Sequence, residues 1–351
     1  MRKFRNILKP KAGKKRDQAS DGTESGAADN HVVLRPSVGQ PSTEPSEQRL
    51  PPPSSSLGTV SREAADPEPL PCLLDLTLIA RPSGTPAVDI IFVHGLGGSS
   101  HATWAKERKP ELFWPGKWLP YESGMEKARI FTYGYNANWS STESNVLNIG
   151  DFAMDLLGLM EFMRDPVTRE SLKIGTVPIM FVAHSMGGLV VKRAYLNALN
   201  NPRFRQIGTA VRSMIFLSTP HTGADSASSL KNLMSVSFFI SEKQFVNSLQ
   251  RNSETLETIN QDFRHFTHKL FIASFYETRE TPIFPHLGHI NPTKVRVVEK
   301  DSSRLMWPGV VHMSLDADHH GVCKYTSRQD PNYGKVLNMI LEAVQANDVS
   351  P

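Results

Sequence analysis

An α/β fold with a mostly parallel central sheet, covered by helices on both faces, is predicted by three features of the sequence. Runs of continuous Val, Ile and Phe recur, as in VDIIFVH (88–94), PIMFVAH (178–184) and VRSMIFLST (211–219). Strands buried on both faces have this texture, whereas a half-solvated strand alternates apolar with polar. Between these runs lie segments with apolar residues at helical spacing. Small-residue turns, HGLGG (94–98) and SMGG (185–188), follow two of the strands directly.

In chain order, LLDLTLIA (73–80) reads as an opening strand, VDIIFVH as a buried one and ARIFTYGY (128–135) as the next. Residues 146–164 place Val146, Ile149, Phe152, Ala153, Leu156, Leu157 and Met160 on one helical stripe. Strand 178–184 follows, then helix 187–199, strands 211–219, 268–276 and 294–299, and a closing helix over 333–345. The predicted α/β domain spans 72–347, and 348–351 is a short C-terminal end. Residues 1–71 read as a disordered tail, because 36–71 hold nine prolines among many Ser and Glu. Such a composition cannot bury enough apolar surface to offset chain entropy.

The net charge of +4 and the pI near 9.0 come from the tip of that tail. Residues 1–16 carry eight Lys/Arg and no acid, residues 17–71 carry nine acids against three basic residues, and the rest is only +2. A near-neutral folded part disfavours nucleic-acid binding. The tip, with Phe4, Ile7 and Leu8 among its cations, is a candidate for peripheral contact with an anionic membrane or for a mitochondrial presequence; it also reads as a solvated basic tail, since Pro10 limits any helix to about two turns. Two cysteines, Cys72 and Cys323, supply no disulfide framework, and no apolar run approaches the ~18–20 residues of a membrane helix. The expectation is an intracellular protein that does not span a bilayer, so the sequon Asn138-Trp139-Ser140 is not expected to be glycosylated.

Ser185 sits where a strand gives way to a helix, the edge of an open α/β sheet at which ligands bind. A nucleophile elbow needs small residues around the serine, and Gly187 and Gly188 supply them downstream. Upstream, Ala183 stands where the G-x-S-x-G fingerprint has glycine, which leaves a second reading open, Ser185 as a helix N-cap. HGLGG lacks the spacing of a phosphate-binding loop but can aim backbone N–H groups at a developing oxyanion; the donors expected are the N–H groups of Leu96 and Met186. LDADHHGVCKY (315–325) supplies His319 as general base, with His320 expected at the surface; a metal reading of Asp316, Asp318, His319 and His320 lacks a second ligand cluster, and no metal or cofactor is expected. The acid that would orient His319 is Glu277, at the end of LFIASFYE, or alternatively Asp301 after VRVVE. His221 precedes both acids in the chain and is expected to shape the rim of the pocket.

Taken together, VDIIFVHGLGGSSHATW, FWPGKWLP, AHSMGG, FLSTPHTGA, SFYET, VVEKDSSRL and DADHHGVCKY resemble the serine active site-containing proteins. These are α/β hydrolases similar to the lipase-like group that includes the inositol-deacylases of lipid anchors. The resemblance covers nearly all of 73–346 and none of the tail. It implies the α/β-hydrolase fold and a serine hydrolase of the lipase or esterase type, with Ser185 and His319 at matching positions. It also implies association with mitochondrial or endoplasmic-reticulum membranes.

Residues 226–266 carry apolar stripes, among them Leu230, Leu233, Phe238, Phe239 and Phe245, and are expected to form an inserted helical cap. Such a cap packs on the domain and can also wall a pocket for an acyl chain, which favours a lipid or other hydrophobic ester as substrate. Two alternatives stand beside hydrolysis: acyl transfer to an alcohol in lipid remodelling, and a non-catalytic signalling scaffold.

Overall fold

The computed structural model describes residues 74–137, 149–221, 232, 233, 236, 257–283, 293–298, 300, 302, 303, 305 and 307–348. The tail 1–71 with its basic tip, the sequon at Asn138, most of the expected cap, Asp301 and residues 349–351 lie outside them.

Seven strands form one sheet: β1 (Leu76–Ala80), β2 (Val88–Val93), β3 (Ala128–Tyr133), β4 (Ile179–His184), β5 (Val211–Leu217), β6 (Phe271–Glu277) and, past a separate hairpin, β9 (Val311–Leu315). Their spatial order is β1-β3-β2-β4-β5-β6-β9, with β1 antiparallel to β3 and every other pairing parallel. Among the helices are α1 (Ile149–Phe162), α2 (Gly187–Asn200), α3 (Arg205–Ala210) and α4 (Pro331–Asp348). This is the α/β-hydrolase arrangement.

Both faces of the sheet are buried, and the alternation of side chains along each strand divides the core in two. Ile91 and Val93 of β2 and Phe181 and Ala183 of β4 pack with Leu156 and Met160 of α1 and Leu189 of α2. Ile90, Phe92, Met180 and Val182 face the other way, onto Trp104, Trp114 and the Tyr333, Val336 and Ile340 stripe of α4. The HATW and FWPGKWLP segments therefore supply one aromatic cluster: Phe92 meets Trp104 and Trp114 edge-on, each at 5.1 Å, and Trp114 Nε1 donates to the Cys323 carbonyl at 3.0 Å.

One ion pair is built into the sheet. Asp89 on β2 lies in register with Arg129 on β3; the guanidinium donates to both carboxylate oxygens at 2.6 and 2.8 Å and to the Leu172 carbonyl at 2.6 Å. Both side chains are buried. Asp89→Ala would leave the cation with no counter-charge, and denaturant unfolding is expected to show a loss of about 3–5 kcal/mol.

Two sequence expectations are corrected here. KVRVVE (294–299) is not a strand of the main sheet. Only β8 (Thr293–Val295) is extended there, in a separate antiparallel hairpin with β7 (Thr281–Ile283), and the chain turns at Val297 and Val298. The final sheet strand is β9, which pattern reading passed over because Val311 is exposed and His312, Met313 and Ser314 are only half-buried, as befits a sheet edge. The short helix α3 was also not expected.

The topology fixes where a ligand can sit. From β2 the chain steps outward to β3 and then crosses back to β4 on the other side of β2. The loops leaving the carboxyl ends of β2 and β4 thus diverge at a topological switch point, and those loops are HGLGG and the Ser185 turn.

Candidate active site

Ser185 lies between β4 and α2 with a φ of 54°, a left-handed conformation that costs a non-glycine residue on the order of 1–2 kcal/mol. The surroundings hold it there. Its N–H donates to the Leu217 carbonyl at 2.9 Å, and its own carbonyl accepts from the Thr219 hydroxyl and the Gly188 N–H, each at 3.0 Å. Tight glycine contacts let the turn close. A Cβ on Gly187 would collide with the carbonyl oxygens of Val93 and His94, one on Gly188 with the Thr219 side chain, and one on Gly95 would fall 2.7 Å from Ser185 Cβ. The crowding is thus downstream of Ser185 and across from it. Ala183 points its methyl into the core, where it is fully buried, so the fingerprint's missing glycine leaves the turn undisturbed.

Met186, not Ser185, occupies the cap position of α2, and no side chain caps that helix. The Ser185 hydroxyl is engaged elsewhere: Oγ lies 2.9 Å from His319 Nε2, and His319 Nδ1 lies 2.7 Å from Glu277 Oε2. A carboxylate can only accept, so Nδ1 carries the proton and Nε2 presents a lone pair to the serine O–H. The other carboxylate oxygen, Glu277 Oε1, accepts the N–H groups of Val297 at 2.8 Å and Val298 at 3.1 Å. Burial raises the Glu277 pKa, but the adjacent His319 and the Val298 N–H more than offset this, and the net displacement is below the usual carboxylate range. His319 is held at its backbone as well, donating its N–H to Thr281 Oγ1 at 3.0 Å and accepting from His184 Nε2 at 2.9 Å.

Met186 follows this serine directly, and Leu96 follows Gly95, the glycine packed against Ser185. Neither N–H is taken up by a hydrogen bond among the described residues. His94 braces the glycine loop. Its Nδ1–H donates to the Gly95 carbonyl at 2.9 Å, its Nε2 accepts the Tyr135 N–H at 3.2 Å, and its ring stacks on Tyr135 at 4.3 Å. Together these groups can deprotonate a hydroxyl, orient the resulting imidazolium and receive negative charge on an adjacent oxygen.

Burial holds His94 neutral, lowering its pKa to about 4, and lowers His184 and His221 well below the ordinary value. For a histidine buried neutral, the unfolded chain takes up protons first as the pH falls. The stability from these three rings is fully present above the unfolded value of about 6.5. It is lost as the pH falls from there through the folded values, about 4 for His94. Thermal unfolding followed against pH should show Tm falling through that window, and His94→Asn should flatten the fall.

Other expected site residues stand apart. Asp316 pairs with Arg279 at the surface, Asp318 accepts the Gly321 N–H within its own turn, and His320 is exposed. Among the described residues no group of three or more His, Cys, Asp or Glu converges as metal ligands would. His221 is not at a pocket rim. It is fully buried, hydrogen-bonded to the equally buried Lys192. Sequence reasoning missed Lys192, Thr219, Thr281 and the Val297–Val298 turn. Lys192 alone carried a signal, as the cation that follows the apolar run LVV on a helix.

A model of the family described as "Putative serine esterase (DUF676)" matches residues 89–297, from β2 through the turn that holds Glu277. The chain belongs to this serine esterase family. Two relatives are also similar: Protein SERAC1 of Bos taurus is 28% identical over 273 residues, and that of Homo sapiens 27% identical over 272, each covering 73% of this chain. The matched part is 39% of those relatives' length. Among solved structures, an esterase from Thermogutta terrifontis is 14% identical with a TM-score of 0.46, covering 79% of this chain and 89% of its own. No helix among the described residues is long and apolar enough to cross a membrane.

Proposed function

We propose that this serine esterase cleaves an acyl ester through an acyl-enzyme on Ser185. The observation that carries the reading is the unbroken run Ser185 Oγ, His319, Glu277, whose hydrogen-bond directions leave a lone pair on Nε2. His319 takes the hydroxyl proton as Oγ attacks the carbonyl carbon, and the Leu96 and Met186 N–H groups receive the oxyanion. When the tetrahedral centre collapses, the ester C–O bond breaks and the His319 imidazolium returns that proton to the departing alkoxide. Water, deprotonated by the same nitrogen, then attacks the acyl carbon; the bond to Ser185 Oγ breaks as the imidazolium returns that proton to Oγ, and the carboxylic acid is released.

A hydrophobic substrate, a lipid ester in particular, is favoured by the apolar stripes of 226–266 and by the lipase-like resemblance of the motifs. Peripheral membrane contact through the basic residues 1–16, at mitochondrial or endoplasmic-reticulum membranes, belongs to the same proposal; co-sedimentation with anionic vesicles should be lost when they are deleted. For the chemistry, a fluorophosphonate should form its adduct on Ser185, mapped by tandem mass spectrometry, and kcat/KM should rise with acyl chain length. An adduct on any other residue refutes the nucleophile, and a flat chain-length profile refutes the hydrophobic substrate.

A further inference from the structure

Lys192 lies on α2, two turns beyond Ser185, and is fully buried. Its Nζ donates to His221 Nδ1 and to Asn260 Oδ1, each at 2.6 Å, and sits 5.2 Å from the Phe216 ring centre and 5.3 Å from that of Phe263. Among the described residues its polar partners are thus a ring nitrogen and an amide oxygen, with no carboxylate. Burial drives its pKa well below the ordinary lysine value. A buried amine without a counter-charge is costly to maintain, and it takes no part in the proposed chemistry.

The hydrogen bonds leading away from Lys192 run in one direction. Ser274 spends its hydroxyl proton on the Ser303 carbonyl at 2.7 Å, so it accepts from His221 Nε2–H at 3.1 Å. Neutral His221 therefore has a bare Nδ1, and that is the atom to which the amine donates. The backbone of His221 joins in, its N–H donating to the Ser302 carbonyl at 2.6 Å. Ser303 Oγ in turn donates to the Lys300 carbonyl at 2.9 Å. The path therefore ends on the backbone of Lys300, Ser302 and Ser303. Shortly before them in the chain stand Val297 and Val298, whose N–H groups hold Glu277 Oε1. β6 is gripped at both points, by way of Ser274 and, three residues on, Glu277.

We infer that Lys192 is a positioning residue for Glu277: by fixing the His221 ring it anchors Ser302 and Ser303, which follow closely in the chain on Val297 and Val298, the residues whose N–H groups orient this carboxylate. The inference rests on the proposed roles of Ser185, His319 and Glu277. Without the amine, Nδ1 is a buried acceptor with no donor, and the ring is no longer held in the tautomer that feeds Ser274. Val297 and Val298 are then held less firmly, Glu277 loses donors that favour its charged form, and its carboxylate protonates more readily.

The test uses the full chain with Lys192→Met, which keeps the length of the side chain, Ser274→Ala, which removes one hydroxyl farther along, and the double variant. The readouts are hydrolysis of a short p-nitrophenyl ester against pH and hydrogen exchange at the Val297 and Val298 amides. Each single variant is expected to lower kcat about ten- to hundredfold with KM within about twofold. The acid limb of kcat/KM should move up by about half a pH unit or more, and the two amides should exchange about tenfold faster. The double variant should be no worse than the more severe single one, as expected of two links in one chain.

An unmoved acid limb and unchanged exchange in folded variants, whatever happens to Tm, would overturn the inference. If Lys192→Met does not fold, Ser274→Ala decides it alone by the same readouts. Wild-type protein without Ser185-dependent turnover would sink the serine-hydrolase reading instead; the exchange comparison would still decide whether Lys192 holds Val297 and Val298, and unchanged exchange would again overturn it.

Discussion

Ser185→Ala is expected to lower kcat about 10⁵- to 10⁶-fold and to abolish fluorophosphonate labelling, while leaving the protein folded. The size of the effect follows from the absence, among the described residues, of any other hydroxyl on His319 Nε2. The residual rate is that of backbone donors and binding alone. The fold should survive because alanine and serine meet the same strain at a φ of 54°, and the contacts that fix the turn run through the backbone to Leu217, Thr219 and Gly188. Unfolding should therefore occur within a few degrees of wild type by circular dichroism. Turnover within about a hundredfold of wild type would remove Ser185 from the mechanism.

Glu277→Gln is expected to cost about 10⁴-fold in kcat at neutral pH, more than the loss of a charge in an otherwise equal geometry would suggest. Only the amide oxygen can accept the Val297 and Val298 N–H groups, so the NH₂ is turned toward His319 Nδ1. Nδ1 must then accept, which moves the imidazole proton to Nε2 and leaves nothing to deprotonate Ser185. Steady-state kinetics measures the loss, and imidazole nitrogen chemical shifts report the tautomer. A variant within tenfold of wild type, or one with the proton still on Nδ1, would contradict this account.

The sequence made the buried elements plain and the edges obscure. β2, β4 and β5 announce themselves because strands covered on both faces are largely apolar, and SMGG and HGLGG are legible because close backbone packing leaves room for nothing larger. β9 is half-solvated and short, so its pattern resembles a loop, while VRVVE looks like a strand although Val297 and Val298 serve as a turn. The same limit applied to the site. Ser185 and His319 stand in recognisable local settings, but what distinguishes one carboxylate from another is which of them the fold carries to Nδ1, and Glu277 meets His319 across 42 residues of chain. Lys192 was hidden for a related reason. A cation on an amphipathic helix normally faces water, and here the partners that bury it come from beyond β5 and from residues 257–264.

Because the pairing of β6 with β9 delivers His319 to a serine 134 residues earlier in the chain, nucleophile and base do not become available together during synthesis. The elbow can fold as soon as β2, β4 and β5 associate, since every group that shapes it belongs to those strands and their loops. A nascent chain at that stage holds a finished turn around a serine of ordinary, low nucleophilicity. Only the arrival of the edge strand brings His319 to its Oγ, so under the proposed mechanism hydrolytic competence waits until the sheet is closed on that side.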